Sequence, residues 1–194
     1  VISGSFAERI RFRSYILYML LFTLFIYSPL AHMTWHPDGL FRKWGVLDFA
    51  GGTVVHMSAG LAALSGAIYH GKWKKIEEKP ANIPFVILGT GLLWFGWFGF
   101  NAGSALGANF DAVIAFANTN LASATSMITW IFYDRFFGRK MSAVGACIGA
   151  IVGLVAITPA AGFVTIGQSV FIGFTAAIIS NIAIRITKKS MLLF

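Results

Sequence analysis

One ionisable side chain begins a long apolar stretch, residues 48–71, another lies near its middle, and these two are the first candidates for chemistry. Asp48 begins the stretch, and His56 follows among glycine, alanine, valine and leucine residues. The stretch is long enough to cross a bilayer, where an ionisable group is costly because hydrocarbon offers it no water. We therefore interpret His56 as a functional residue: a proton relay, a hydrogen-bonding group in a pore, or a metal ligand. A hydrogen-bonded core histidine is the structural alternative.

Metal and covalent chemistry have little support in the sequence. No second His or Cys stands four residues from His56, which is the spacing of two metal ligands on one helix. The chain has no phosphate-binding loop, no Ser-His-Asp order typical of hydrolases and no CxxC motif. We expect no metal, no cofactor and no enzymatic activity. A membrane bundle that binds haem or a metal through His56 is kept as an alternative function.

Asp48 precedes the apolar run at the position of a helix cap. Its carboxylate can accept hydrogen bonds from the N–H groups of the first helical turn, which have no partner within the helix, and it meets the positive end of the helix dipole. A second role is equally open, because a negative charge also attracts or stabilises a cation.

Aromatic residues form a second candidate site between Trp94 and Phe100, and the polar run 101–104 follows directly. Aromatic faces attract a bare cation, and a hydroxyl such as that of Ser104 can replace part of its water. Plain packing of the aromatic rings is the structural alternative.

The composition predicts an all-α, polytopic membrane bundle. The chain is 57% hydrophobic and 11% charged, with a mean hydropathy of +0.76, whereas soluble domains carry about 25% charged residues. The net charge of +8 does not indicate nucleic-acid binding, because the basic residues lie in short clusters between apolar runs. The single Cys147 lies in an apolar run and is predicted to be a packing residue.

Six apolar runs are predicted to be complete membrane spans within one transmembrane domain, residues 1–194. The fourth carries a polar stripe in which Asn118 and Asn120 are predicted to join helices by hydrogen bonds. Residues 1–7 resemble the end of an earlier helix, so we expect a central fragment that lacks N-terminal and C-terminal helices. The six spans are residues 14–35, 49–70, 83–104, 112–133, 141–157 and 163–184.

The basic residues predict the orientation of these spans. Of the 15 Lys and Arg residues, only Arg42 and Lys43 lie outside one set of alternate loops. Loops rich in Lys and Arg remain in the cytoplasm, so the set is predicted to be cytoplasmic. Its members are Arg9, Arg11, Arg13, Lys72, Lys74, Lys75, Lys79, Arg135, Arg139, Lys140, Arg185, Lys188 and Lys189.

Five motifs together resemble the ammonium transporter family (Amt/Mep/Rh), and they cover essentially the whole chain. They are long and specific, unlike the single residues considered above. They are GSFAERIRF at 4–12, AHMTW at 31–35, the stretch 48–71 that begins DFAGGTVVH, WFGWFGFNAGS at 94–104 and GLVAITP at 153–159.

The resemblance implies an eleven-helix fold with two inverted five-helix halves and one hydrophobic pore per subunit. Trp35 and Ser104 would form the outer recruitment site for ammonium, and Phe100 would be the inner of two stacked gate rings. His56 would be the first of twin pore histidines, with Trp97 also in the pore. The outer gate ring and the second histidine would belong to helices outside this chain.

The resemblance also implies the partners and the location. Asp48 would match a buried aspartate that supports the pore structurally and electrostatically. Ammonium or ammonia would be the substrate, taken up as a nitrogen source across the inner or plasma membrane by a homotrimer in the lipid bilayer. A cytoplasmic regulator of the PII type is a further implied partner, and nucleic acid is excluded. An ammonium sensor built on the same bundle is the alternative.

Reporter fusions test the orientation. We expect fusions after Lys75 and Lys140 to report a cytoplasmic location and a fusion at Asp38 to report a periplasmic one, because the basic loops remain inside. Alkaline phosphatase and fluorescent protein fusions measure the two sides independently. The opposite pattern would contradict both the orientation and the number of spans.

Overall fold

The computed structural model describes residues 2–7, 9–71 and 82–190, with side chains up to residue 187. All the secondary structure in these ranges is helical, which confirms the predicted all-α class. Two π-helical segments, Thr23–Tyr27 and Gly52–Met57, interrupt the α-helices. The α-helices are α1 (Ser3–Phe6), α2 (Phe12–Phe22), α3 (Ser28–Trp35), α4 (Leu40–Lys43), α5 (Ser58–His70), α6 (Ile83–Gly103), α7 (Phe110–Phe136), α8 (Ala143–Ile157) and α9 (Ile166–Ser190).

Each of the six predicted spans coincides with a long helical stretch. The stretch α7 has the length of a span but is less apolar, and α8, with 15 residues, is short. The predicted basic loop at 72–81 lies outside the described residues, as do the side chains of Lys188 and Lys189. Among the described residues, four stretches are long and apolar enough by themselves to cross a membrane: Phe12–Lys43, Gly52–His70, Ile83–Gly103 and Ile166–Thr187.

The first π-helical segment lies directly before Pro29, one residue into α3. Proline has no N–H, and in a regular helix its ring would clash with the carbonyl group four residues earlier, so the wider turn relieves the conflict. Ser28 donates from both its N–H and its hydroxyl, at 2.9 Å for the hydroxyl, to the carbonyl oxygen of Thr23. Local polar groups thus satisfy the backbone where the regular pattern is broken.

Helix α7 packs against α6, α8 and α9, and small residues allow the close approach. A Cβ atom added at Gly153 of α8 or at Gly173 of α9 would collide with the Ala122 carbonyl oxygen of α7. Backbone contact of this kind replaces the hydrophobic effect as the source of helix association in lipid. The buried Cys147 has the packing role that was predicted for it.

Polar side chains on one face of α7 add hydrogen bonds between helices. The Asn118 side chain donates to the carbonyl oxygens of Ala161 and Val164 at 2.9 and 2.7 Å, as predicted for interhelical contacts. The same prediction is wrong for Asn120, which is exposed because two residues along a helix lead to the opposite face. Two serines of the buried face also donate to α8 carbonyls, Ser123 to Ala150 and Ser126 to Gly149.

The N-terminal helices meet this four-helix group at the C-terminal end of α8. The Phe49 N–H donates to the Pro159 carbonyl oxygen at 2.9 Å. Gly52 lies so close to the same proline that an added Cβ would meet its ring at 2.5 Å. The start of the second π-helical segment is therefore held against the end of α8, and the candidate site lies at this junction.

A substitution at the α7–α8 contact tests the packing. Gly153→Ala is expected to destabilise the protein by about 1–3 kcal/mol, because the added methyl group meets backbone atoms that cannot move aside. Gly89→Ala on α6 is the matched control, since nothing lies within 4 Å of its added Cβ. Thermal unfolding in detergent, followed by circular dichroism, measures both. Equal stability of the two variants would contradict the close approach.

Candidate functional site

One carboxylate satisfies all four free N–H groups at the start of the helix that bears His56. Asp48 Oδ1 accepts from the N–H groups of Gly51 and Gly52 at 2.8 and 2.6 Å. Its Oδ2 accepts from Thr53 and Val54 at 2.8 and 3.3 Å. Asp48 is only 6% exposed, so the negative charge is buried and depends on these donors and on the helix dipole. The predicted capping role of Asp48 is confirmed.

The helix begins three residues later than the predicted span, at Gly52 rather than at residue 49. The reason is the conformation of Gly51, whose φ of +108° is strained for any residue with a side chain. This left-handed residue turns the chain so that the N–H groups converge on the carboxylate of Asp48. Asp48 therefore caps the helix from a position before the turn at Gly51, whereas the prediction began the helix directly after Asp48.

Asp48 also holds Trp35. The indole Nε1 of Trp35 donates to the Asp48 carbonyl oxygen at 2.9 Å, and the Trp35 ring is 40% exposed at the end of α3. Ser104, at the end of α6, instead donates to the carbonyl oxygen of Phe100 at 2.8 Å. No hydrogen bond joins Trp35 to Ser104 in the described part of the chain, so their common recruitment site stays a prediction.

His56 lies in the second π-helical segment, in a cluster with two aromatic rings. Its N–H reaches back to the Gly51 carbonyl oxygen at 3.1 Å, the five-residue step of a π-helix. The imidazole stacks on Trp97, with centroids 5.2 Å apart and planes at 24°, and lies 5.8 Å from the Phe100 ring. The structure thus brings together three of the predicted site residues.

Thr158 belongs to the same cluster, although sequence reasoning missed it. Its hydroxyl oxygen lies 3.2 Å from His56 Nε2 and accepts from the Trp97 indole N–H at 3.0 Å. The sequence analysis placed Thr158 and Pro159 directly after the fifth span and in the motif GLVAITP, and gave them no role in a site. The signal available in the sequence was a threonine directly before a proline, after an apolar run. Nothing in the sequence pairs this threonine with residues on two other helices.

A cavity of about 270 Å³ opens beside His56 and is otherwise lined by apolar and aromatic side chains, among them Leu92, Leu93 and Trp97. The Nδ1 atom of His56 is buried and has no hydrogen-bond partner among the described residues. In the same ranges, no three His, Cys, Asp or Glu side chains lie close enough to hold a metal ion. The site can offer a small ligand an imidazole and aromatic faces.

Apolar helices and a buried site between them define a multi-pass membrane protein, and the comparisons identify its family. A sequence model of the Ammonium Transporter Family matches residues 1–192. The chain belongs to this family.

Individual relatives agree with this assignment. An ammonium transporter of Aquifex aeolicus is 48% identical over 97% of the chain, which covers 44% of that protein. The crystal structure of Saccharomyces cerevisiae Mep2 superposes with a TM-score of 0.91 at 39% identity, covering 98% of this chain and 44% of Mep2. A structure named Sensor Amt Protein gives a TM-score of 0.90 at 32% identity, covering 98% and 50%.

These findings confirm the family resemblance, the helical membrane fold and the prediction that the chain is not an enzyme. They also confirm a multi-pass location in the inner or plasma membrane. The chain spans less than half the length of the curated relatives it matches.

Substitutions at Asp48 test the cap. Asp48→Ala is expected to cost more than the roughly 0.5–2 kcal/mol of an ordinary cap, because four N–H groups lose their acceptor. Asp48→Asn is expected to be nearly as destabilising, since its NH₂ group would face N–H donors. Ser142→Ala is the matched control, because Ser142 caps α8 through a single N–H, that of Gly145. Denaturation in mixed micelles measures all three.

A stable Asp48→Asn variant would contradict this account. It would mean that one acceptor oxygen is enough and that the second pair of hydrogen bonds contributes little.

Proposed function

We propose that this chain conducts ammonium or ammonia across the cell membrane, through a hydrophobic pore in each subunit, for nitrogen uptake. The named activity of its relatives and the family match support this function. We also propose that residues 1–194 form a single transmembrane domain.

The energetics of ion transfer require both aromatic and polar groups along a hydrophobic pore. A bare cation in hydrocarbon carries a solvation penalty of tens of kcal/mol, so a pore must replace its water or remove its charge. An aromatic face supplies roughly 0.5–2 kcal/mol, which helps at the mouth but does not carry a charge through the centre. A polar group is therefore needed deeper in the pore.

One observation carries the proposal: the His56 imidazole lies on the wall of an apolar cavity, against two aromatic rings, with one buried ring nitrogen that has no partner among the described residues. An imidazole on the wall of an apolar cavity can form a hydrogen bond with ammonia or pass a proton.

The other predicted residues take positions that fit this function. Trp35 and Ser104 form the recruitment site in this proposal, and Phe100 acts as a gate next to the cavity. Trp97 lines the pore by stacking on His56. Asp48 supports the pore structurally, through the helix start that presents His56.

The family resemblance further supports a homotrimer in the lipid bilayer and a cytoplasmic regulator of the PII type. An ammonium sensor is the second candidate function, because the relative named Sensor Amt Protein superposes over 98% of this chain. The two functions differ in flux: a transporter carries ammonium at rates that a sensor does not need.

His56→Ala in the full-length gene product tests the pore. We expect a folded protein without electrogenic ammonium current, because the imidazole on the cavity wall is removed. His56→Glu is expected to retain some current, since a carboxylate can also transfer protons. Currents evoked by ammonium and by potassium on reconstituted protein measure activity and selectivity.

His32→Ala is the matched control, because His32 is exposed at the end of α3 and stacks only on His36. Wild-type ammonium current and selectivity in His56→Ala would show that His56 is only a core histidine. Absence of current in the wild-type protein, with ammonium binding retained, would favour the sensor.

A further inference from the structure

The loop between α8 and α9, residues 158–165, connects the N-terminal helices with the four-helix group. On one side it holds the start of the second π-helical segment. The Phe49 N–H donates to the Pro159 carbonyl oxygen at 2.9 Å, and Gly52 lies against the Pro159 ring. Phe49 also packs edge-on against Phe163 of the loop, with ring centroids 5.3 Å apart and planes at 88°. The loop therefore determines where this π-helical segment begins.

On its other side the loop is held by one side chain of α7. Asn118 is 0% exposed, and its amide nitrogen donates to the carbonyl oxygens of Ala161 and Val164 at 2.9 and 2.7 Å. Carbonyl oxygens only accept hydrogen bonds, so the hydrogens of the NH₂ group must face the loop. The two carbonyl groups need such donors because they lie outside the helices. One amide group thus fixes two points of the loop on α7.

Helix α7 also packs against α6, which bears Trp97 and Phe100. The two aromatic rings and the loop are therefore both placed by α7, the rings through helix packing and the loop through Asn118. His56 approaches the rings from the N-terminal helices, and its ring centroid lies 5.2 Å from that of Trp97 and 5.8 Å from that of Phe100. Because its segment begins at the loop, these distances depend on how α7 holds the loop.

We propose that Asn118 is a positioning residue, which fixes the start of the His56 segment and so sets the placement of His56 relative to the aromatic rings of α6. Asn118 acts through two carbonyl groups of the loop, and the loop acts through the Phe49 hydrogen bond and the Gly52 contact. The functional consequence of this placement rests on the proposed transport of ammonium or ammonia.

Amide hydrogen exchange of the full-length gene product in lipid nanodiscs tests the connection without any transport measurement. Asn118→Leu removes both donated hydrogens at a similar side-chain volume. It is expected to speed up exchange at residues 49–57 about tenfold, because the loop loses its hold on α7. These residues lie in another part of the chain, so a general loosening of α7 does not predict the change. Mass spectrometry of the labelled peptides measures it.

Two further variants show whether the effect passes through the loop. Ser126→Ala is the matched control, because Ser126 is also buried on α7 but donates to a carbonyl of α8 instead of the loop, so exchange at residues 49–57 is expected to stay at the wild-type rate. Gly162→Ala is expected to reproduce the faster exchange, since an added Cβ would meet the Phe49 ring. Wild-type exchange in folded Asn118→Leu, or equal acceleration in Ser126→Ala, would overturn the proposal.

The wild-type protein decides the case in which Asn118→Leu does not fold. The Phe49 N–H is bonded to the loop, so its exchange is expected to require that the loop opens. The amides of Phe49 and Phe163 should then have similar protection. A Phe49 amide that exchanges about tenfold faster than the Phe163 amide, or more, would overturn the proposal, and closer agreement supports it.

Ammonium current on reconstituted protein gives the functional result. Asn118→Leu is expected to lower the current about tenfold, because a displaced His56 no longer meets the aromatic rings in register, whereas Ser126→Ala is expected to stay close to wild type. Faster exchange with an unchanged current would overturn the positioning role and leave the proposed function intact. If neither the wild type nor the variants carry ammonium current, the proposed function fails, and the exchange rates still decide whether Asn118 holds the helix start.

Discussion

The fold of the site depends on one buried carboxylate and the four N–H groups that surround it. An isolated carboxylate at 6% exposure would be strongly unfavourable, and the N-terminus of a helix is the one backbone feature that offers several donors and a positive dipole end together. The dependence is mutual, because without Asp48 the four N–H groups at the helix start would lose their acceptor. Through its carbonyl oxygen, the same residue also holds Trp35.

The contacts of Asp48 with the backbone extend to the second half of the chain. Phe49, its neighbour, bonds to the Pro159 carbonyl, and Thr158 precedes that proline. The start of one helix and the end of another are thus held in register, and the two groups that face each other there are His56 and Thr158. Trp97 reaches the same point from α6, so three helices are connected through one hydroxyl.

Hydrophobicity alone predicted most of the fold, because long apolar runs have few structures open to them in a bilayer. The capping role of Asp48 was also predictable, as one of two roles that the sequence left equally open. The π-helical segments were not, because a wider turn leaves no mark in composition. Thr158 was missed because its partners are 61 and 102 residues away, a contact that only the folded chain reveals. Trp97 was assigned to the pore from the family resemblance and not from its own residue type or spacing.

The second π-helical segment has a consequence for how this helix is compared with others. A π-turn holds one residue more than an α-turn, so every residue after Met57 is rotated by about 100° relative to an uninterrupted α-helix. A helical wheel drawn through residues 52–70 as one ideal α-helix therefore combines two different phases. It shows His56 at the wrong angle relative to the residues of α5. The face to which His56 belongs therefore follows from the π-helical segment, and the faces of the later residues follow from α5.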